Sequence, residues 1–158
     1  MLLQSRGGWS LKTLPPSVGL ELQRQAARLD AKLVQIGGPD DPREEFCDGS
    51  LLGDFPLSKW RALFEQATAV FSVDSWTAHF AAILDRPQAV FYGPTDARLI
   101  HSKRFFSERT SPSVVIASSV PCSPCDSLTC VTYPGATHCA GYRAEHISEL
   151  ESLVNGTG

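Results

Sequence analysis

Hydrophobic positions along the chain switch between a period of two and a period near 3.6, in blocks punctuated by Gly, Pro and Asp. Leu2-Leu3-Gln4 reads as a short first strand, and a glycine-rich turn follows it, Arg6-Gly7-Gly8-Trp9-Ser10-Leu11-Lys12. Pro15-Pro16 opens a helix, since proline is tolerated in a first turn, and Val18, Leu22, Ala26 and Leu29 then recur at helical spacing. Lys32 to Ile36 reads as a buried strand ended by Gly37-Gly38-Pro39, with an acidic loop from Asp40 to Asp48 after it. Pro56 leads into a second amphipathic helix with Leu57, Trp60, Leu63, Phe64 and Ala67 on its apolar face. Ala69 to Val73 is a β-rich apolar strand. Asp74 then reads as the N-cap of a helix from Ser75 to Leu84, apolar nearly all round and therefore expected to be buried. Gln88 to Tyr92 is a further strand, closed by Gly93-Pro94-Thr95-Asp96, and Ser113 to Ala117 is another. A closing helix spans Ala144 to Val154, with Ile147, Leu150, Leu153 and Val154 on one face, and the polar tail 155–158 frays.

Strands that alternate with helices across short turns predict parallel βαβ units. The expected fold is α/β, a Rossmann-like parallel sheet flanked by helices. One domain covers residues 1–154, with a Cys-rich loop at 119–141 inserted before the last helix.

Composition narrows the function classes. The chain has 158 residues, 42% hydrophobic and 20% charged, which excludes a disordered chain, a collagen-like repeat and a coiled coil. A formal net charge of −3 gives no global basic field for nucleic acid, so an anionic ligand needs a local cluster. No apolar run approaches the ~18 residues of a spanning helix. The first residues, Met1 to Arg6, are too few and too polar for a secretory signal. A cytoplasmic location is the expectation, with peripheral attachment to an inner membrane as a variant of it.

In an open α/β sheet, ligands bind beyond the carboxyl ends of the strands. The sharpest feature there is Val73-Asp74-Ser75-Trp76-Thr77-Ala78-His79. A helix starting at that turn offers free backbone N–H groups and a partial positive charge, which suits a diphosphate. Ser75 and Thr77 add hydroxyls. The plainer alternative is that Asp74 only caps the helix and His79 only packs within it. Gly93-Pro94-Thr95-Asp96 closes the next strand on the same edge, as a binding turn or as an ordinary type I or II turn. Asp40 and Asp41 follow Gly37-Gly38-Pro39 on that edge, where a carboxylate accepts from ribose hydroxyls or is simply solvated. Arg6 and Lys12 are candidate phosphate ligands or surface charges, and the spacing of a P-loop is absent.

Four of the five cysteines, Cys122, Cys125, Cys130 and Cys139, form the pattern C-x2-C-x4-C-x8-C. A C-x2-C knuckle lets two thiolates reach one ion, and two more complete a tetrahedral set for Zn or Fe. The alternative is four reduced thiols in a surface loop. A closed four-thiolate site would be structural, since it leaves no coordination position for substrate, and it leaves no vacancy for the neighbouring His138.

Taken together, these segments resemble glycosyltransferase family 9, the ADP-heptose:heptosyltransferase family of GT-B enzymes. Lys12-Thr13-Leu14-Pro15 resembles the family's Lys-x-Trp-Pro segment, and Ile36-Gly37-Gly38-Pro39-Asp40-Asp41 its Gly-Gly-Pro-acid loop. Ser72 to Ala82 resembles the signature Val-Asp-Ser/Thr-Gly-x-x-His-x-Ala-Ala, and Leu84-Asp85-Arg86-Pro87 and Phe91 to Asp96 continue it in order. The resemblance covers nearly the whole chain but only the C-terminal, donor-binding half of a GT-B fold. It implies that Lys12 contacts a donor diphosphate and that Asp41, or alternatively Asp40, holds the adenosine ribose. It also implies that Asp74, Ser75, Trp76, Thr77, His79, Gly93, Thr95 and Arg6 border the nucleotide. Several family members carry a Pro-Cys-Ser-Pro-Cys segment, and autotransporter heptosyltransferases use a four-cysteine iron finger; both are matched at Pro121 to Cys125 with Cys130 and Cys139. Two departures stand out: Thr13-Leu14 replaces x-Trp before the proline, and Trp76 stands where the signature has glycine. A tryptophan there either crowds the phosphate, points away, or stacks on the nucleotide.

The implied activity is inverting transfer of a heptose or related sugar from a nucleotide diphosphate donor to a glycan, such as a lipopolysaccharide core, or to a protein. No catalytic metal is expected. In the family the base is an Asp of the N-terminal domain, which nothing in this chain matches, so no residue here is assigned as catalyst. Transfer then needs that missing domain or a partner subunit. Two rivals from other classes are a non-catalytic nucleotide-binding module or truncated subunit, and a four-cysteine metal-binding interaction domain. A hydrolase is disfavoured because Ser75 lacks the G-x-S-x-G elbow.

Overall fold

The computed structural model describes residues 1–101 and 108–142, together with Ile147, Leu150 and Leu153. The first half runs β1 (Leu2–Gln4), α1 (Pro16–Arg28), β2 (Val34–Gly37), β3 (Gly49–Leu52) and α2 (Leu57–Gln66). The second half runs β4 (Val70–Val73), α3 (Trp76–Ile83), β5 (Gln88–Tyr92), α4 (Ala97–His101) and β6 (Ser113–Ala117). The strands form one six-stranded sheet in the order β3-β2-β1-β4-β5-β6. Every neighbouring pair is parallel.

Both faces of the sheet are covered, and the period of two sends each strand side chain to one of them. Leu3, Phe71, Val73, Ala89 and Phe91 pack on one face with Val18, Leu22 and Ala26 of α1 and with Ile147, Leu150 and Leu153. Those last three are helical and buried, as their spacing predicts. The remainder of the expected helix 144–154, Val154 included, and the tail 155–158 lie outside the described residues. Gln25, buried on α1, donates from Nε2 to the Ile147 carbonyl at 2.8 Å and ties the two segments together. On the opposite face Leu2, Ile36 and Val70 meet Trp60 and Phe64 of α2 and Ala81 of α3. Val90 and Tyr92 pack there against Ala78 and Ala82, with Ala97 and Ile100 of α4 beside them.

Three elements differ from the sequence reading. β3 falls directly after the acidic loop, where Gly49-Ser50-Leu51-Leu52 carries too little β-branched or alternating apolar character to announce a strand. It forms because Asp48 anchors it: the Asp48 N–H donates to the Leu33 carbonyl at 2.8 Å, and its Oδ2 accepts from the Leu33 N–H at 2.7 Å. α4, only five residues long, carried no helical period. α3 is not buried all round: Thr77, Ala78, Ala81 and Ala82 are buried, whereas Trp76 is 43% and Ile83 66% exposed. The small residues let one flank of α3 sit close on β4 and β5, and the large ones mark its outer flank.

The chain lays down β1, β2 and β3 in one direction and then returns to place β4 on the other side of β1. That reversal between β1 and β4 is the place where open α/β sheets of this kind bind ligands, beyond the carboxyl ends of the strands.

Candidate functional site

The loop leaving β1 folds back on itself. Arg6 and Thr13 form an antiparallel bridge, Leu14 N–H donates to Ser5 O at 2.7 Å, and Gly7 N–H donates to Lys12 O at 2.8 Å. This excursion returns Lys12 to the end of β4. Gly7 is required for it: a Cβ there would lie 2.9 Å from Lys12 Cβ and 3.3 Å from the Asp74 carbonyl oxygen.

Lys12 meets Asp74 at the first residue after β4. Lys12 Nζ donates to Asp74 Oδ2 at 2.7 Å, and Thr95 Oγ1 donates to the same oxygen at 2.8 Å. Lys12 Nζ also sits 4.3 Å from the centroid of the Trp9 ring, a cation–π contact. Asp74 and Thr95 are buried. The loops after β1, β4 and β5 therefore converge on one carboxylate oxygen at the topological switch point. The expected capping role of Asp74 is corrected here: Ser75 is the N-cap of α3, and no side chain caps it. A buried carboxylate is better served by an ammonium and a hydroxyl than by one amide. Ser75 Oγ turns inward to Gln4 Oε1 at 2.9 Å. Ala78 N–H closes the first turn of α3 on Ser75 O at 3.2 Å, so it is the N–H groups of Trp76 and Thr77 that have no intrahelical acceptor and suit an external one. Burial, and then the Asp74 charge, push the Tyr92 hydroxyl above its usual range, so it remains a neutral phenol beneath the cluster.

Beyond β2 and β3 lies a groove of about 220 Å³ lined by Gly37, Gly38, Gly53, Asp54, Phe55, Trp60 and Trp76. The Trp76 indole packs edge-on to Trp60 with centroids 5.4 Å apart, and it contacts Phe64 and Phe80. Its ring is therefore a wall of this groove, with a face left exposed. Asp41 curls over the glycine turn, its Oδ2 accepting from Gly38 N–H at 2.9 Å. Asp40 is exposed at the tip.

Other expected site residues go elsewhere. Arg6 pairs with Glu44, Nε to Oε1 at 3.4 Å, and Ser5 Oγ donates to the same oxygen at 2.7 Å. Thr77 is fully buried with its hydroxyl turned inside, because its position on α3 faces the sheet. His79 is partly buried on α3. Gly93 is buried beneath the cysteine loop, where a Cβ would lie 2.7 Å from Cys139 Cβ. Its lack of a side chain admits that loop rather than a ligand. Trp9, Gln4 and Glu44 were not singled out by sequence. Gln4 carried a usable signal, a polar residue ending an otherwise apolar strand.

Cys122, Cys125, Cys130, Cys139 and His138 all line one cavity of about 250 Å³ with Leu11 and Tyr133. The Tyr133 N–H donates to Cys130 Sγ at 3.3 Å. Burial pushes the Cys139 thiol up. Among the described residues, no three Cys, His, Asp or Glu side chains stand close enough to hold one ion. No helix among them is long and apolar enough to cross a membrane.

A family model described as glycosyltransferase family 9 (heptosyltransferase) matches residues 41–152. Among solved structures, a glycosyl transferase family 9 protein from Veillonella parvula is similar at TM-score 0.69 and 18% identity, over 99% of this chain and 46% of that one. E. coli heptosyltransferase WaaC with ADP is similar at TM-score 0.59 and 24% identity, over 74% of this chain and 37% of that one. The same enzyme with ADP-2-deoxy-2-fluoro heptose gives TM-score 0.54 and 21% identity, over 74% and 36%. At these identities the likeness is one of fold, and the chain spans less than half the length of these solved relatives. No curated protein matches it. The family match over residues 41–152, well beyond half of the sequence, makes this chain a member of glycosyltransferase family 9.

Proposed function

We propose that the strand ends at the β1/β4 reversal bind the diphosphate of an ADP-sugar, heptose-like, as the donor half of an inverting glycosyltransferase. The observation that carries this reading is the convergence of Lys12 and Thr95 on Asp74 beside the first turn of α3. An ammonium has three donors, so Lys12 bonds a phosphate oxygen without releasing Asp74. As the sugar leaves, negative charge grows on the departing diphosphate. Lys12 and the α3 amides, already oriented, stabilise that charge; one such donor is commonly worth about 10²–10³ in rate. The groove walled by Trp76, Phe55 and Trp60 takes the base, with the glycine turn and Asp41 or Asp40 beside the ribose. The ADP and ADP-heptose analogue bound by WaaC support this ligand class. Acceptor binding and its deprotonation belong to a facing domain or subunit. Titration calorimetry tests the reading: ADP should bind more tightly than adenosine, and no binding of either would end it.

The four cysteines favour a second element, a structural Zn or Fe. Their chemistry suits one ion, and the Tyr133 amide already bonds the Cys130 sulfur, yet the sulfurs as placed do not gather round a point. An ion would draw Cys122, Cys125, Cys130 and Cys139 inward across their shared cavity and fasten the loop. It would take no part in transfer.

A further inference from the structure

The cysteine loop supplies no group to the Asp74 cluster, yet it is bonded to both loops that do. Cys139 N–H donates to Leu11 O at 3.2 Å, and Ser10 Oγ donates to Leu128 O at 3.3 Å; these residues immediately precede Lys12. Ser123 Oγ donates to Gly93 O at 2.7 Å. Cys125 and Asp126 N–H both donate to Pro94 O, at 3.0 and 2.8 Å; Gly93 and Pro94 immediately precede Thr95. Between the two loops there is no slack: a Cβ on Gly93 would lie 2.7 Å from Cys139 Cβ and 3.3 Å from the Leu11 carbonyl oxygen.

We infer that the cysteine loop is a positioning element for the diphosphate cradle, with Ser123 and Cys139 fixing where Lys12 and Thr95 meet Asp74. This rests on the donor-site reading and deepens it. The loop holds the carbonyls next to Lys12 and Thr95, so a shift of the loop moves both donors relative to their shared acceptor. Fixed donors bind an anion more tightly than mobile ones, because less freedom is lost on binding. The aromatic groove is lined by the loops after β2 and β3, by Trp60 of α2 and by Trp76 of α3, and has no bond to this loop among those described. Loosening the loop therefore weakens phosphate binding and spares the base.

The experiment measures calorimetric affinities of inorganic diphosphate, ADP and adenosine for Ser123→Ala, Ser123→Thr and Gly93→Ala. Ser123→Ala should weaken diphosphate and ADP about three- to tenfold, the worth of one partly buried hydrogen bond. Adenosine should stay within about twofold by the same argument, and Ser123→Thr, which keeps the hydroxyl, should restore diphosphate binding. Gly93→Ala, which pushes Cys139 aside, should go further in the same direction; if it fails to fold, the Ser123 pair decides alone. Equal loss of adenosine and diphosphate would mean general loosening and overturn the inference, as would unchanged diphosphate affinity. A wild-type chain that binds neither ligand would instead overturn the donor site itself.

Discussion

Replacing Lys12 with Met removes an ammonium and keeps most of the stem. In the native cluster Nζ is 2.7 Å from Asp74 Oδ2, with the Lys12 side chain 14% and Asp74 7% exposed. A charge-assisted bond to phosphate is worth about 1.5–3 kcal/mol. Asp74 already neutralises part of the Lys12 charge, so the lower end applies, about 1.5–2 kcal/mol, or roughly 10–30-fold in the ADP dissociation constant. Adenosine has no phosphate and should be unaffected. The same change strands Asp74. Breaking a buried pair from one side costs about 3–5 kcal/mol, which for a chain of this size lowers Tm by roughly 6–20 °C. The double variant Lys12→Met/Asp74→Asn removes the stranded charge and should recover much of that stability without recovering ADP affinity. Calorimetry with ADP and adenosine, and thermal melts of both variants, read these effects separately. An ADP-to-adenosine affinity ratio that stays at the wild-type value in Lys12→Met would refute the phosphate role.

Trp76→Gly should weaken ADP and adenosine equally, about five- to tenfold for a lost aromatic wall, and leave inorganic diphosphate unchanged. Tighter diphosphate binding in that variant would mean the indole obstructs the cradle after all. Purified protein should carry about one Zn or Fe per chain by elemental analysis, the number one four-thiolate site holds, and Cys125→Ser should lose it; metal-free wild type at full thiol content ends the metal proposal. Burial, and next the Arg109 charge, hold the His101 imidazole below its usual value of 6.5. Its unfolded form then binds the proton first, so stability is complete above about pH 6.5 and falls as pH drops below it. Urea midpoints between pH 7.5 and 5 should show that fall, less steeply in His101→Gln; an identical slope in the variant assigns the effect to another group.

The sheet was legible because β1, β2, β4 and β5 bury both faces and read as apolar runs, and β6 is β-branched although its edge leaves Val115 exposed. Edge strand β3 was not, since Gly49-Ser50-Leu51-Leu52 has only Leu51 packed on the core and relies on Asp48 and backbone pairing to β2. The residue types of the site were also legible: Lys12, Asp74, Ser75 and Thr95 all lie at the strand ends where a local reading put them. Their roles were not, because these depend on which loops touch. Asp74 followed by Ser75 looks like a cap until Lys12 and Thr95 arrive from other strands to claim its carboxylate. Gly93 looked like part of a turn bordering the nucleotide, and only the return of Cys139 from far along the chain shows what fills that space. Trp76 broke the local pattern, and its use as a wall depends on Trp60 in a different helix.

The meeting of three strand ends on one oxygen also bears on how the chain folds. Lys12 lies 62 positions from Asp74 and Thr95 lies 21 from it, so no local segment can preassemble the cluster. It exists only after β1, β4 and β5 have paired in parallel, a slow, high-contact-order step. Nucleotide that binds this cluster stabilises only chains that have completed that step. In a refolding experiment the growth of ADP binding should therefore lag helix formation and coincide with final sheet closure.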